Sequence, residues 1–262
     1  MAYTYYPKTK DELTKDIKNA YSLGITDLSC IDTSAITDMS DLFFFLKDEA
    51  YHCDISKWDV SNVKDMSSMF DSCKYFNSDI SKWNVSNVEN MSYMFAGCEK
   101  FNQDLSNWDV SNVEDMQGMF KDCIMFNSDL SNWNVSNVEN MSEMFNYCHN
   151  FNSDISKWNV SKVCDMSAMF YYCNNFNCDL SKWNVSNVKD MHLMFYGCKK
   201  FNCDISNWDV SKVTNMEYMF YMCENFDCNL NKWNVVSLNN AMYALEYCFK
   251  LKVKSQWYIN MK

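Results

Sequence analysis

Apolar and polar positions recur along this chain in blocks of 25 residues. Tryptophan falls at Trp58, Trp83, Trp108, Trp133, Trp158, Trp183, Trp208 and Trp233 with no insertion between copies. Self-similarity at a period between about 20 and 50 residues marks a chain of stacked structural units. Within one copy, Trp58 and Val60 alternate with Lys57, Asp59 and Ser61, a period of two that predicts a short half-buried strand. Val63, Met66, Met69, Phe70 and Cys73 then recur at helical spacing and predict about three turns of helix. Asn62 or Ser61 would cap that helix and Asp65 would sit in its first turn. A return loop through Phe76-Asn77-Ser78-Asp79 closes the unit. A block of 25 residues is too short for the four strands of a propeller blade, which takes about 40. The pattern therefore predicts an α/β repeat solenoid of short parallel strands and short helices, about nine turns long.

The ends depart from the pattern. Residues 1–27 form an N-terminal capping segment with a predicted helix over 9–22. Thr9 and Glu12 fit a capping box, Leu13, Ile17, Ala20 and Tyr21 make one apolar stripe, and Gly24 suits the left-handed residue that ends a helix. The solenoid runs from 28 to 235. Its first repeat, 28–54, is degenerate: Leu28, Ile31, Thr33, Ile36, Met39 and Phe43 precede their counterparts by 27 residues. The two extra residues fall near Phe43-Phe44-Phe45 and the following Leu-Lys-Asp-Glu-Ala. Residues 236–262 form the C-terminal capping segment, where Ala241 and Ala244 replace methionines and Trp257-Tyr258-Ile259 reads as a final strand.

Stacking at the strand spacing of about 4.8 Å would turn each repeated position into a column. The Trp, Phe70, Phe76 and paired Met columns read as core. Cys73 through Cys248 forms a cysteine column and Cys53, Cys178, Cys203 and Cys228 a partial second one. Zinc sites usually show tighter Cys-x2-Cys pairs, so these thiols read as small, reduced, buried residues. The Asp column from Asp54 to Asp204 reads as turn-holding carboxylates, and the Asn77 to Asn202 column as a side-chain amide ladder ending in Asp227.

The run Met-Phe-x-x-Cys-x-x-Phe-Asn-x-Asp-Ile/Leu-Ser-x-Trp-Asp/Asn-Val-Ser-Asn-Val resembles the BspA-like leucine-rich-repeat surface proteins. More narrowly, it resembles their 25-residue branch, found in spirochaetes such as Brachyspira, in mycoplasmas and in some giant viruses. Ile55-x-x-Trp58-x-Val60 stands where the general repeat has Leu-x-x-Leu-x-Leu. The resemblance covers about residues 28–257. It implies a leucine-rich-repeat-like right-handed coil used for protein binding, often on a cell surface, and supplies no catalytic residues.

Composition narrows the function classes. A net charge of -11 argues against nucleic acid as partner, since phosphate binding needs a basic footprint. All 23 basic residues are lysines, the usage of an AT-rich genome. No apolar run approaches the roughly 18 residues of a membrane span, and the N-terminus lacks the features of a secretory signal, which reads as an intracellular chain. His52, His149 and His192 occupy different repeat positions, and no phosphate-cradling loop or nucleophile elbow is present, so no enzyme, cofactor or metal is expected.

Function should lie where the repeat varies. On the predicted helix side, Tyr171, Tyr172, Tyr196, Tyr218 and Tyr221, with Leu193, Met222 and Tyr243, gather in the C-terminal half. They form a candidate surface for a protein partner or for self-association. The alternative is the polar strand face, with Lys57, Asp59, Lys82, Asp109, Lys157, Lys182 and Asp209, which could suit a carbohydrate or matrix protein as an adhesin does.

Overall fold

The computed structural model describes residues 4–47, 50 and 53–261. Asp48 and Glu49 of the inserted segment, and His52, lie outside the described residues. Helix α1 spans Lys10–Ser22. The Thr9 hydroxyl accepts from the Glu12 amide, but the Glu12 carboxylate accepts from the Lys8 amide (2.7 Å) rather than from Thr9. The expected box is therefore shifted by one residue at its return bond. Leu13, Ile17 and Ala20 are buried, and Gly24 ends the helix at φ 72°. Lys10 reaches Ser40, and Lys18 lies over the Phe45 ring, so α1 packs on the first, degenerate repeat.

The regular repeats contain neither the expected helix nor the expected strand. Among the described residues the helical segments are α1, a 3-10 turn at Leu28–Cys30, and α2 at Gln256–Asn260. Each 25-residue unit is a chain of β-turns. In the copy beginning at Ile80, turns close by i to i+3 bonds at Ile80–Trp83, Val85–Val88, Met91–Met94, Phe95–Cys98 and Cys98–Phe101 (2.9–3.2 Å). The first and fourth residues of every one of these turns are apolar and buried. Back-to-back turns of this kind place inward side chains at i, i+3, i+4 and i+7, which is also the signature of a helix. The two readings separate at the backbone. Ser68, Tyr93, Glu143, Ala168, Leu193, Tyr218 and Tyr243 have φ between 51° and 59°, and so does Gly118 of the same column. The column four residues on, from Ser72 (62°) to Tyr247 (59°), is left-handed as well. A positive φ at the third residue is what a type II turn requires, and a helix cannot pass through it.

Consecutive units are joined by main-chain hydrogen bonds with one dominant direction. Met66, Ser68, Phe70 and Ser72 donate their N–H groups to the carbonyls of Asn90, Ser92, Met94 and Ala96 at 2.7–2.9 Å. The same four bonds recur down to Met216, Tyr218, Phe220 and Met222, which donate to Asn240, Met242, Ala244 and Glu246. Fewer bonds run the other way, as Glu89 N–H to the Lys64 carbonyl (2.8 Å) and Lys100 N–H to the Lys74 carbonyl (3.2 Å). A parallel bridge marks each interface, from Asp38↔Asp65 to Asn215↔Asn240, with Asp27↔Asp54 beside the first.

The core between the turns is aromatic. Phe70 lies 3.9 Å from Phe76 in its own unit and 5.6 Å from Phe95 in the next. Trp133 and Trp158 stack at 6.4 Å with planes 4° apart, an offset arrangement. Each buried indole donates to a carbonyl of the preceding unit, Trp133 to Leu105 at 2.9 Å, so the column leaves no indole N–H orphaned. Cysteine thiols are placed likewise: Cys148 donates to the Phe120 carbonyl at 2.9 Å. Burial pushes the Cys98, Cys123, Cys148 and Cys173 thiols well up, and all 14 cysteines are free thiols.

At the far end Trp257 continues the Trp column, 6.1 Å from Trp233, with its indole on the Leu230 carbonyl. The expected strand Trp257-Tyr258-Ile259 is instead part of α2. In α2 the main chain bonds locally, with the Tyr258 and Ile259 amides donating to the Ser255 carbonyl at 3.0 and 3.2 Å.

Candidate functional site

Two outer faces emerge from this construction. On one, side chains hold the backbone. Asp79, Asn84 and Asn90 each accept, through Oδ1, the amide of the residue two positions on (2.9–3.2 Å). These are Asx turns, and they account for the Asp and Asn columns. Asn87 and its equivalents donate to a serine carbonyl of the preceding unit, as Asn112 does to Ser86 (2.7 Å), rather than capping a helix. The Asn77 column is a ladder of side chain to backbone, not of amide to amide: Asn77 Oδ1 accepts the Asn102 N–H at 3.0 Å. Hydrogen bonds from Ser131 hold the Asp129 carboxyl below the usual range, and Asp79, Asp104, Asp154, Asp179 and Asp204 are lowered in the same way.

This face carries the alternative candidate residues. Lys57, Lys82, Lys157 and Lys182 are exposed. Asp59, Asp109 and Asp209 are exposed too, but each carboxylate already accepts the amide two residues on, in Ser61, Ser111 and Ser211. Lys157 and Lys182 border a groove of about 450 Å3 with Asp179 and Asn184, and Lys232 borders another of about 480 Å3 with Asp204 and Asp227.

The opposite, turn-bearing face joins its units through a row of main-chain hydrogen bonds, which leaves most of its side chains free to differ. There the predicted tyrosines come together. Tyr171 lies 4.8 Å from Tyr172 and 4.8 Å from Tyr196, and Tyr196 lies 5.0 Å from Tyr221. Tyr218 is 5.3 Å from Tyr221. The structure extends the group at both ends: Tyr147 stacks on Tyr172 at 5.3 Å, Tyr218 on Tyr243 at 5.0 Å, and Tyr221 meets Tyr247 at 5.0 Å. The result is a tyrosine ridge crossing five units. Burial, with hydrogen bonding to neighbouring tyrosines, pushes the Tyr171 phenol well up and Tyr196 to about 12.

Sequence reasoning missed Tyr147 and Tyr247 because the left-handed columns are invisible in apolar spacing. Tyr147, Tyr172, Tyr218, Tyr243 and Tyr247 all occupy positive-φ positions, where glycine is the default residue. Glycine does appear where a ring from the preceding unit needs the space. A Cβ on Gly118 would come within 2.4 Å of the Tyr93 ring, and one on Gly197 within 2.8 Å of the Tyr172 ring.

Beside the ridge a cavity of about 310 Å3 is lined by Glu143, Asn146, Asp165, Tyr171 and His192, among others. Glu143 pairs with Lys121, and His192 Nδ1 lies 2.8 Å from Asp190 Oδ1. That hydrogen bond raises the His192 pKa. Burial pushes the Asp190 carboxyl up, but the hydrogen bonds from the His192 side chain and amide outweigh it and lower the pKa. Among the described residues no group of three or more His, Cys, Asp or Glu side chains gathers as a metal site would, and no helix is long and apolar enough to cross a membrane.

A stack of turn-built 25-residue units, with an even polar face and a varied aromatic one, defines a tandem-repeat protein. The family model for the Mycoplasma protein of unknown function, DUF285, matches it three times, over residues 11–110, 84–163 and 148–257. The chain belongs to that family. Among curated proteins none matches it.

Proposed function

We propose that this chain is a non-enzymatic scaffold for protein–protein interaction and that the tyrosine ridge is its contact surface. One observation carries the reading. Five ridge tyrosines stand at left-handed backbone positions, where a residue with a Cβ is disfavoured by roughly 1–2 kcal/mol. Strained positions filled against local preference point to a use outside the fold. Tyrosine supplies large, rigid, amphipathic contact area, and it is enriched at interface centres.

The same reading takes the stack as a right-handed, leucine-rich-repeat-like solenoid of the BspA-like kind, its helices replaced by paired type II turns. Placement at a cell surface follows from that resemblance and is tested by cell fractionation. The test of function compares wild type with the Tyr172→Gly/Tyr218→Gly double variant as immobilised bait for proteins of the source cell. A protein retained by the wild type and lost by the variant supports the ridge; equal retention by both refutes it.

The rival reading is an adhesin that takes carbohydrate through the polar face. The grooves at Lys157 and Lys182 and at Lys232 favour it. Glycan-array binding lost in Lys157→Ala/Lys182→Ala, with the ridge variant unaffected, would decide for it.

A further inference from the structure

Small residues interrupt the left-handed column of the turn face twice. At Gly118 the Tyr93 ring takes the vacated space. At Ala168, which holds the same position two units on, the space stays open and forms part of the cavity of about 310 Å3 beside the ridge. The wall of that cavity is short of donors. Asn146 is 7% exposed, and its Oδ1 is buried with no hydrogen-bond partner. Its Nδ2 is turned toward Glu143 Oε2 (3.5 Å), which fixes the sense of the amide. A buried acceptor left unpaired is costly and points to a donor that the fold does not supply. Asp165 accepts the Ser167 amide through Oδ1 (2.8 Å), whereas its Oδ2 and the Ser167 hydroxyl make no hydrogen bond among the described residues. In the next unit Asp190 uses both oxygens, the second accepting from Asn215 at 3.3 Å.

Charge singles out the same place. Glu143 is paired with Lys121 and Asp190 with His192, but Asp165 has no cation against it among the described residues. One uncompensated carboxylate suits a single positive charge. We infer that the cavity receives the ammonium group of a lysine side chain carried by the partner protein, an inference that rests on the ridge as contact surface. A lysine ammonium has three donors and no acceptor, and Asn146 Oδ1, Asp165 Oδ2 and Ser167 Oγ offer an acceptor to each. Ala168 and Leu193 give its methylene stem an apolar wall, and Tyr171 gives the cation an aromatic neighbour. The chain's net charge of -11 draws a basic partner toward it.

The probe is lysine blocked at both ends, Nα-acetyl-lysine methylamide, titrated into the full chain and followed by NMR at the Asn146 side-chain amide and the Tyr171 ring. Saturable shifts at both are expected, and the uncharged Nε-acetyl form should bind about tenfold or more weakly. Asp165→Asn should weaken the probe by about tenfold. It leaves the turn intact, since Asn140 holds the equivalent turn with the Ser142 amide. Ala168→Leu fills the cavity with the residue that Leu193 already places at this left-handed position, and should abolish binding. No saturable shift, equal binding of the Nε-acetyl form, or full binding by either variant would each overturn the proposal. So would binding of the free polyamine spermidine with blocked lysine excluded, which would assign the cavity to a small amine. The two readings fail separately. Blocked lysine that does not bind removes the cavity and leaves the ridge standing, whereas equal partner retention by the ridge variant removes the protein partner although blocked lysine binds.

Discussion

The two outer faces of the stack solve the same problem with different parts of the residue. Both must satisfy the main chain of a fold that has almost no regular secondary structure. On the polar face the solution is side-chain chemistry, so Asp79, Asn84 and Asn87 recur with little freedom. On the turn face the solution is main chain to main chain, as from Ser68 to Ser92, and side-chain identity is left open. Uniformity there and variety here follow from one cause. Repetition marks the side chains occupied with the fold, and variation marks those available for something else.

That contrast can be broken at several points. The largest effect belongs to neither face. Trp133→Ala, which empties the column both faces rest on, should cost about 3–5 kcal/mol in chemical denaturation. An unchanged midpoint would remove the shared core from the account. Next comes an exposed amide on the polar face: Asn134→Ala loses the bond from the Ser136 amide and should cost about 1 kcal/mol.

Tyr172→Gly, on the turn face, removes a far larger side chain with a smaller effect. Relief of the left-handed strain, roughly 1–2 kcal/mol, offsets ring contacts of about 0.5–1.5 kcal/mol, leaving a net change below about 1 kcal/mol. If the tyrosine proves more important to stability than the asparagine, the division between the faces fails.

Acid should also tell them apart. The Asp79 to Asp204 carboxyls have folded pKa values below the unfolded one, so their contribution is present above about pH 3.9 and is lost as pH falls through the depressed values. Amide exchange during acid titration should therefore rise first at Ser81, Ser106 and Ser131 on the polar face. The smallest effect lies at His192, whose folded pKa is raised by Asp190. Its stabilising contribution is complete below about pH 6.5 and disappears as pH climbs through the folded value. An NMR titration should place His192 above the ordinary histidine range, and Asp190→Asn should bring it back.

Much of the stack can be read from the residues alone. The 25-residue period, the buried Trp, Phe, Met and Cys columns, helix α1 and the turn-holding role of the Asp column all follow from spacing and residue type. The helix over Val63 to Cys73 does not survive, because consecutive i to i+3 turns and a helix bury the same positions. Only the sign of φ at Ser68 and Ser72 distinguishes them, and no glycine stands there to announce it. The tyrosine surface was half legible: Tyr171, Tyr172, Tyr196, Tyr218 and Tyr221 stand out by number, whereas Tyr147 and Tyr247 join through backbone geometry.

The sequence by itself determined the repeat, the inward columns and the residues that hold turns, since each is a matter of which side chain can be buried or can accept a nearby amide. The tertiary structure alone decided that turns replace helices and that nearly all turn-face donors point toward the C-terminal end. The reason is that a left-handed turn residue disfavoured locally is stabilised by the amide it donates to the following unit, and that partner is 24 residues away, as Ser68 is from Ser92.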